Sequence, residues 1–148
     1  MTSRTAPVAR LEELDRDECL ELLRHAGVGR VVLSADCLPV AYPVNVSVLD
    51  GDVVFSTGMG TKLDAALRGE VISIETDHFD TLYHTGWSVL VTGVAQVITD
   101  LDSIEGADRL LTQPWAQGAA RSLVRVPATR ISGRRLALGP PVDDEVEP

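Results

Sequence analysis

The stretch VGRVVLSADCLPVAYPVNVSVLDGDVVFST occupies residues 28–57. β-Branched residues crowd it, and turn residues divide it at Ala35-Asp36 and at Asp50-Gly51-Asp52. The pattern predicts three consecutive strands joined by tight turns. Pro39 and Pro43 both fall in the second strand. Proline cannot donate to a ladder, so this strand is expected at an edge or locally irregular. Main-chain groups left unpaired there could read a planar ligand.

On the N-terminal side, LDRDECLELLRHAG (14–27) reads as a helix. Asp15 and Glu18 form a capping-box pattern, Leu14, Cys19, Leu22 and Leu23 give an apolar face, and Gly27 ends it. Residues 1–10 are expected to be a flexible arm. On the C-terminal side, TKLDAALRG (61–69) is a short helix and EVISIETDHF (70–79) a strand. GWSVLVTGVAQVITD (86–100) is a long strand, and Gly93 in its middle suggests a bend or bulge of a closing barrel. LDSIEGADRLLTQ (101–113) is a helix. SLVRVPATRISGRRL (122–136) is a last strand, broken at Pro127. No strand–helix alternation repeats, which excludes a doubly wound parallel sheet. The expected class is mainly β with short helices: a six-stranded antiparallel barrel with helices at its ends. One domain spans 11–138, and residues 139–148 form an acidic, disordered tail carrying Asp143, Asp144, Glu145 and Glu147.

Composition narrows the partners. The chain has 148 residues, 45% of them apolar, which is enough for one unstapled core. No apolar run is long enough to span a bilayer, and the N-terminus lacks the apolar core of a signal peptide, so no membrane partner and a cytoplasmic location are expected. A net charge of -9 with no basic stripe argues against nucleic acid. Cys19 and Cys37 have no metal-like spacing and read as inert thiols. His78 and His84 lack third and fourth ligands, so no metal site is expected. No serine or cysteine comes with a base, so no catalytic residue is assigned.

FSTGMGTKLDAAL (55–67) is the stretch with chemistry in it. Gly58 and Gly60 permit close approach, Thr57 and Thr61 offer hydroxyls, unpaired amides open the following helix, and Lys62 brings a full charge. That set suits a monophosphate. It does not match the nucleoside-triphosphate loop, which needs a glycine directly before the lysine. An ordinary turn with a solvated lysine is the alternative.

GVGRVVLS (27–34), LPVAYPVNVSVLDGDVVFST (38–57), GTKLDAAL (60–67), ISIETDHFD (72–80) and GWSVLVTGVAQVITD (86–100), in this order, resemble the pyridoxamine 5'-phosphate oxidase-like flavoproteins. The closest likeness is to their small actinobacterial and nitroimidazole-reductase-like branch. The resemblance covers about residues 10–135. It implies a split β-barrel, a homodimer, and FMN held in clefts at the subunit interface. Thr57, Thr61 and Lys62 would hold the phosphate. Pro43, Val44, Asn45 and Val46 would lie along the ring system, and Trp87 and Ser88 would approach it, often from the partner subunit. The implied activity is a flavin-dependent oxidoreductase passing a hydride or electrons to a small electron-poor acceptor. The resemblance leaves two other readings: a deazaflavin coenzyme in place of FMN, with Arg30, Arg68, Arg121 and Arg125 as cations for its acidic tail, or a non-catalytic flavin-binding or sensor module. Trp115 would cover the cleft or anchor its own loop. Additional basic residues for a substrate phosphate are missing, which puts vitamin B6 oxidation in doubt. The branch often carries histidine where this chain has Ser56.

Overall fold

The computed structural model describes residues 8–111 and 121–139. Helix α1 (Arg16–Ala26) opens as its sequence dictates: the Asp15 carboxylate accepts from the Glu18 amide, and Glu18 accepts from the Asp15 amide. It follows strand β1 (Val8–Leu14). Next come β2 (Val28–Ala35), β3 (Leu38–Leu49) and β4 (Asp52–Thr57). Two-residue turns join them, with positive φ at Asp36 and Cys37 and again at Asp50 and Gly51. Such turns match the twist of the flanking strands. Helix α2 (Thr61–Leu67) leads to β5 (Val71–Asp80), β6 (Thr85–Val94) and the short β7 (Gln96–Val97). Helix α3 (Leu101–Leu110), β8 (Ser122–Val126) and β9 (Arg130–Gly139) complete the described chain.

All pairings are antiparallel, in the order β1-β9-β6-β5-β2-β3-β4-β8-β7. Among the described residues there are nine strands rather than the expected six, and the hydrogen-bonded ladder is not closed. The difference has three sources. Residues 8–10, expected in a loose arm, lie in β1, where Val8–Arg10 pair with Gly139–Ala137. The stretch 86–100 breaks at Ala95 into β6 and β7, and 122–136 breaks at Pro127 into β8 and β9. Gly139, expected in the tail, ends β9; residues 140–148 and Trp115 lie outside the described residues.

Those two breaks sit at one place. Strands β6 and β7 are separated by Ala95 alone, yet they occupy the third and ninth positions of the sheet. The sheet must therefore curl until its far edge meets the end of β6. A Cβ on Gly93 would stand 2.1 Å from the Pro127 carbonyl oxygen. The Ala95 amide donates to Glu70 O at 2.9 Å, and Thr129 N to Pro127 O at 2.8 Å. Arg16 donates to Ala128 O, tying α1 to the same corner.

The curl encloses the main core. Val31, Val53, Phe55, Ile74, Val91, Val124 and Val126 are fully buried, and Cys19, Leu20 and Leu23 of α1 pack into it. Each such side chain contributes about 1.5–3 kcal/mol of burial. A second cluster, Val54, Ile98, Ala107, Leu111 and Leu123, seats α3 on the opposite face of β4 and β8.

Because the obstacle at Gly93 is backbone, Gly93→Ala should lower stability by about 2–4 kcal/mol, or roughly 5–15 °C in Tm. Calorimetry measures this directly. An unchanged melting temperature would show that the corner is looser than described.

Candidate functional site

The proline-bearing strand has two halves. Residues Val46–Leu49 of β3 pair with β4, whereas Leu38–Asn45 pair only with β2. Strand β4 runs on to Thr57 along β8. The two strands thus part beyond the Val46–Phe55 pair. Val46 N donates to Gly27 O at 3.1 Å, on the β2 side. By alternation, the odd-numbered positions 39, 41, 43 and 45 direct their main chain away from β2, into the gap. Pro39 and Pro43 occupy two of these four positions, where a missing N–H costs no ladder bond. The expectation of an edge therefore holds for this half of the strand, although β3 is interior in the sheet as a whole.

The loop 58–60 and α2 stand across that gap. Lys62 Nζ lies 4.8 Å from the centroid of the Tyr42 ring, a cation–π contact that bridges the two sides. No side chain caps α2, whose N-cap is Gly60. A Cβ on Gly58 or Gly60 would meet no atom within 4 Å, so the loop is open to an incoming group. Helix α2 has only seven residues, so its dipole adds little. The loop amides, the hydroxyls and Lys62 are the polar groups that this side of the gap offers. The Thr57 hydroxyl donates to Gly58 O at 3.2 Å and is buried; Thr61 and Lys62 are half-buried. Lys62 is the only lysine in the chain; the other cationic side chains are arginines, apart from histidine.

The expected ring-contacting residues divide. Val44 and Val46 are core residues, 7% and 3% exposed, and as even-numbered positions they turn their main chain toward β2, so neither reaches the gap, against the expectation. Pro43 is exposed and Asn45 half-buried. Trp87 and Ser88 do not join this group within one chain. Val28 pairs with Asn45, the β2–β5 register sets Val28 level with Asp77, and Asp77 pairs with Ser88. Ser88 is therefore three strands from Asn45, roughly 14 Å at the usual strand spacing. Trp87 alternates to the other face, beside His78 and Arg135.

The sequence reading missed Tyr42; its signal was an aromatic residue directly before Pro43. It also left Arg30 open. Arg30 Nη1 donates to Glu75 Oε2 at 3.0 Å and to Asp77 Oδ2 at 3.3 Å. Burial, and then the neighbouring Asp77, push the Glu75 carboxyl above its ordinary value despite the arginine. Cys19 is buried, which raises its thiol above the ordinary value and makes it a poor nucleophile; Cys37 is exposed.

The pairing of a parted β3–β4 ladder with a Thr-x-x-x-Thr-Lys loop has relatives. The sequence model of the family Pyridoxamine 5'-phosphate oxidase matches residues 15–135. The chain belongs to this family. An uncharacterized protein of Mycobacterium tuberculosis is 38% identical over 129 residues, covering 84% of each chain. The structure of an FAD binding protein from Mycobacterium smegmatis is 34% identical, covers 84% of this chain and 98% of its own, and superposes with a TM-score of 0.70. An FAD and heme binding protein of the same organism, 19% identical, shares the fold with a TM-score of 0.69, over 88% of this chain and 76% of its own. Flavin-binding proteins therefore stand among the structural relatives. No helix among the described residues is long and apolar enough to cross a membrane.

Glu75 gives a pH test. Its folded-state value lies above the unfolded one, near 4.5. The folded chain therefore holds more proton than the unfolded chain just above that pH, and this group's contribution falls as pH rises through the folded value. Glu75→Gln should remove that component. The stability difference between variant and parent, from urea midpoints, should shift in the variant's favour from pH 4.5 to 7. A constant difference would show Glu75 to be unperturbed.

Proposed function

We propose that this chain is a flavin-binding oxidoreductase that works as a homodimer, with FMN as its cofactor and a small electron-poor molecule as its acceptor. The observation that carries the reading is the gap itself. On one wall stand unpaired main-chain groups of residues 39, 41, 43 and 45; on the other stand an uncapped glycine loop and the chain's only lysine. A ring system with hydrogen-bonding edges suits the first wall, and a phosphate suits the second.

In this reading Lys62, Thr61, Thr57 and the loop amides hold the phosphate. Main-chain groups at Pro43 and Asn45 fix the ring edge, with the Asn45 amide as the one polar side chain, while Val44 and Val46 anchor the strand in the core and on β2. Bound flavin supplies the redox chemistry, taking up a hydride equivalent and passing it on. The residues bind, orient and exclude water. Trp87 and Ser88, remote within one chain, would serve the flavin of the partner subunit. The outer sheet face supports a second copy. Val71 and Val94 are paired neighbours there, 65% and 43% exposed, and Leu90 lies further along the same face of β6.

Charge pairing favours a monophosphate over a long acidic tail. Of the candidate cations, Arg30 is engaged by Glu75 and Asp77, Arg68 by Glu70 at 2.8 Å, and Arg125 by Asp52 at 3.7 Å. That argues against the deazaflavin coenzyme. The FAD binding relative at 34% identity supports a second reading, in which a dinucleotide flavin occupies the same gap.

Titration of the purified chain with FMN, FAD and the deazaflavin coenzyme, followed by visible absorption, should give tightest binding for FMN. Lys62→Ala should weaken FMN binding by about tenfold or more, the scale of one charge-assisted contact. Saturating FMN should protect Lys62 from amine acetylation, read by mass spectrometry at the chain's single lysine. Unchanged affinity in the variant together with no protection would remove the phosphate assignment.

A further inference from the structure

A second hollow lies away from the gap, at the end of the barrel. Its volume is about 410 Å³, and His78, Gly86, Trp87, Arg135, Leu136 and Leu138 line it. Three of these form one cross-strand row: His78 pairs with Trp87 and Trp87 with Arg135. An aromatic ring is thus flanked by an imidazole on one strand and a guanidinium on the other, with leucines beyond. The close approach that makes this wall continuous depends on Gly86. A Cβ there would stand 2.3 Å from the Phe79 ring and 2.5 Å from His78 O.

The charges sort as follows. Asp80 also lines the hollow, but its carboxylate accepts from the Leu82 and Tyr83 amides at 2.9 and 3.0 Å and is committed to the turn. Glu18 reaches Arg135 only at 4.0 Å, the outer limit of an ion pair, and its other oxygen accepts from the Asp15 amide. Glu12 sits across the ladder from Arg135 and is exposed. The guanidinium therefore has donors to spare beside an apolar, aromatic wall. A cavity of about 150 Å³ already accepts benzene, so a substituted ring fits with room over.

We infer that this hollow binds a planar aromatic carboxylate, its ring against Trp87 and its carboxylate on Arg135. That such a ligand is the electron acceptor rests on the flavin reading above. The binding site itself rests only on the row of residues.

The test is calorimetric titration of the whole chain with 4-nitrobenzoate, and with neutral nitrobenzene as the control for the carboxylate. The chain should bind the anion saturably and the neutral ring more weakly. Arg135→Gln should weaken anion binding by about tenfold, and Arg135→Lys should recover part of the loss. Circular dichroism of the variants keeps a folding defect from imitating lost binding. Absence of saturable binding, or equal affinity in parent and Arg135→Gln, overturns the inference. An FMN titration of the same samples separates the two readings. FMN binding without anion binding removes the hollow alone. Anion binding without FMN binding supports the hollow and removes the flavin assignment.

Discussion

The structure depends on one crossing. Strand β6 must turn at Ala95 into β7, and β8 must turn at Pro127 into β9, within contact of each other. Only a residue without a side chain can occupy position 93, because the Pro127 carbonyl fills the space a Cβ would take. Once those corners are fixed, the sheet cannot stay open. Its third and ninth strands are consecutive in the chain, so the faces between them curl around Phe55, Ile74 and Val91. The curled sheet is held by chain continuity and by packing, not by a closing ladder.

That mode of closure leaves a place for a site. A fully hydrogen-bonded barrel has no free strand edge. Here β4 follows β8 while the first half of β3 follows β2, and the two diverge beyond Val46 and Phe55. The exposed edge would ordinarily be a hazard for pairing with another chain. Pro39 and Pro43 blunt it by removing two donors, and Lys62 of α2 reaches across to Tyr42. What remains is a short row of main-chain groups, a loop that nothing caps, and Lys62 resting on Tyr42.

Much of this was legible in the residues. The hairpin turns, the capping box at Asp15 and the short helix at Thr61 each follow from local chemistry, and Gly93 marks the corner, although the ladder runs through it and breaks two residues later at Ala95. The edge character of the proline strand was legible too, although only for half its length. The break at Pro127 follows from the proline itself; that it divides two separate strands, and the break at Ala95, were harder to read. Both segments keep an apolar alternation through the corner, so their pattern reads as one strand where space requires two. Strand β1 was missed because it lies at the sheet's edge: residues 9–13 are all exposed, and a strand with no buried face gives no alternation to detect. The separation of Trp87 from the loop is a matter of register between distant strands, which no local window contains. The pairing of Arg30 with Glu75 and Asp77 is another.

Alternation also limits what each residue of the gap can contribute. Val44 and Val46 are pinned in the core, so their side chains cannot distinguish one ligand from another. The main chain of β3 offers the same groups to any ring with suitable edges. Discrimination at this wall falls to Asn45 and to whatever approaches from outside it. At the opposite wall, in the proposed reading, one cation would meet the ligand's charge, while most arginines with described partners are already engaged by acids of the same chain. A strongly acidic protein can hold an anionic cofactor only if its positive charge is kept where it is needed. Arginine pairs readily with neighbouring carboxylates through its fixed fork of donors. A lysine over an aromatic face keeps its charge without a carboxylate beside it, and this chain places its single lysine there.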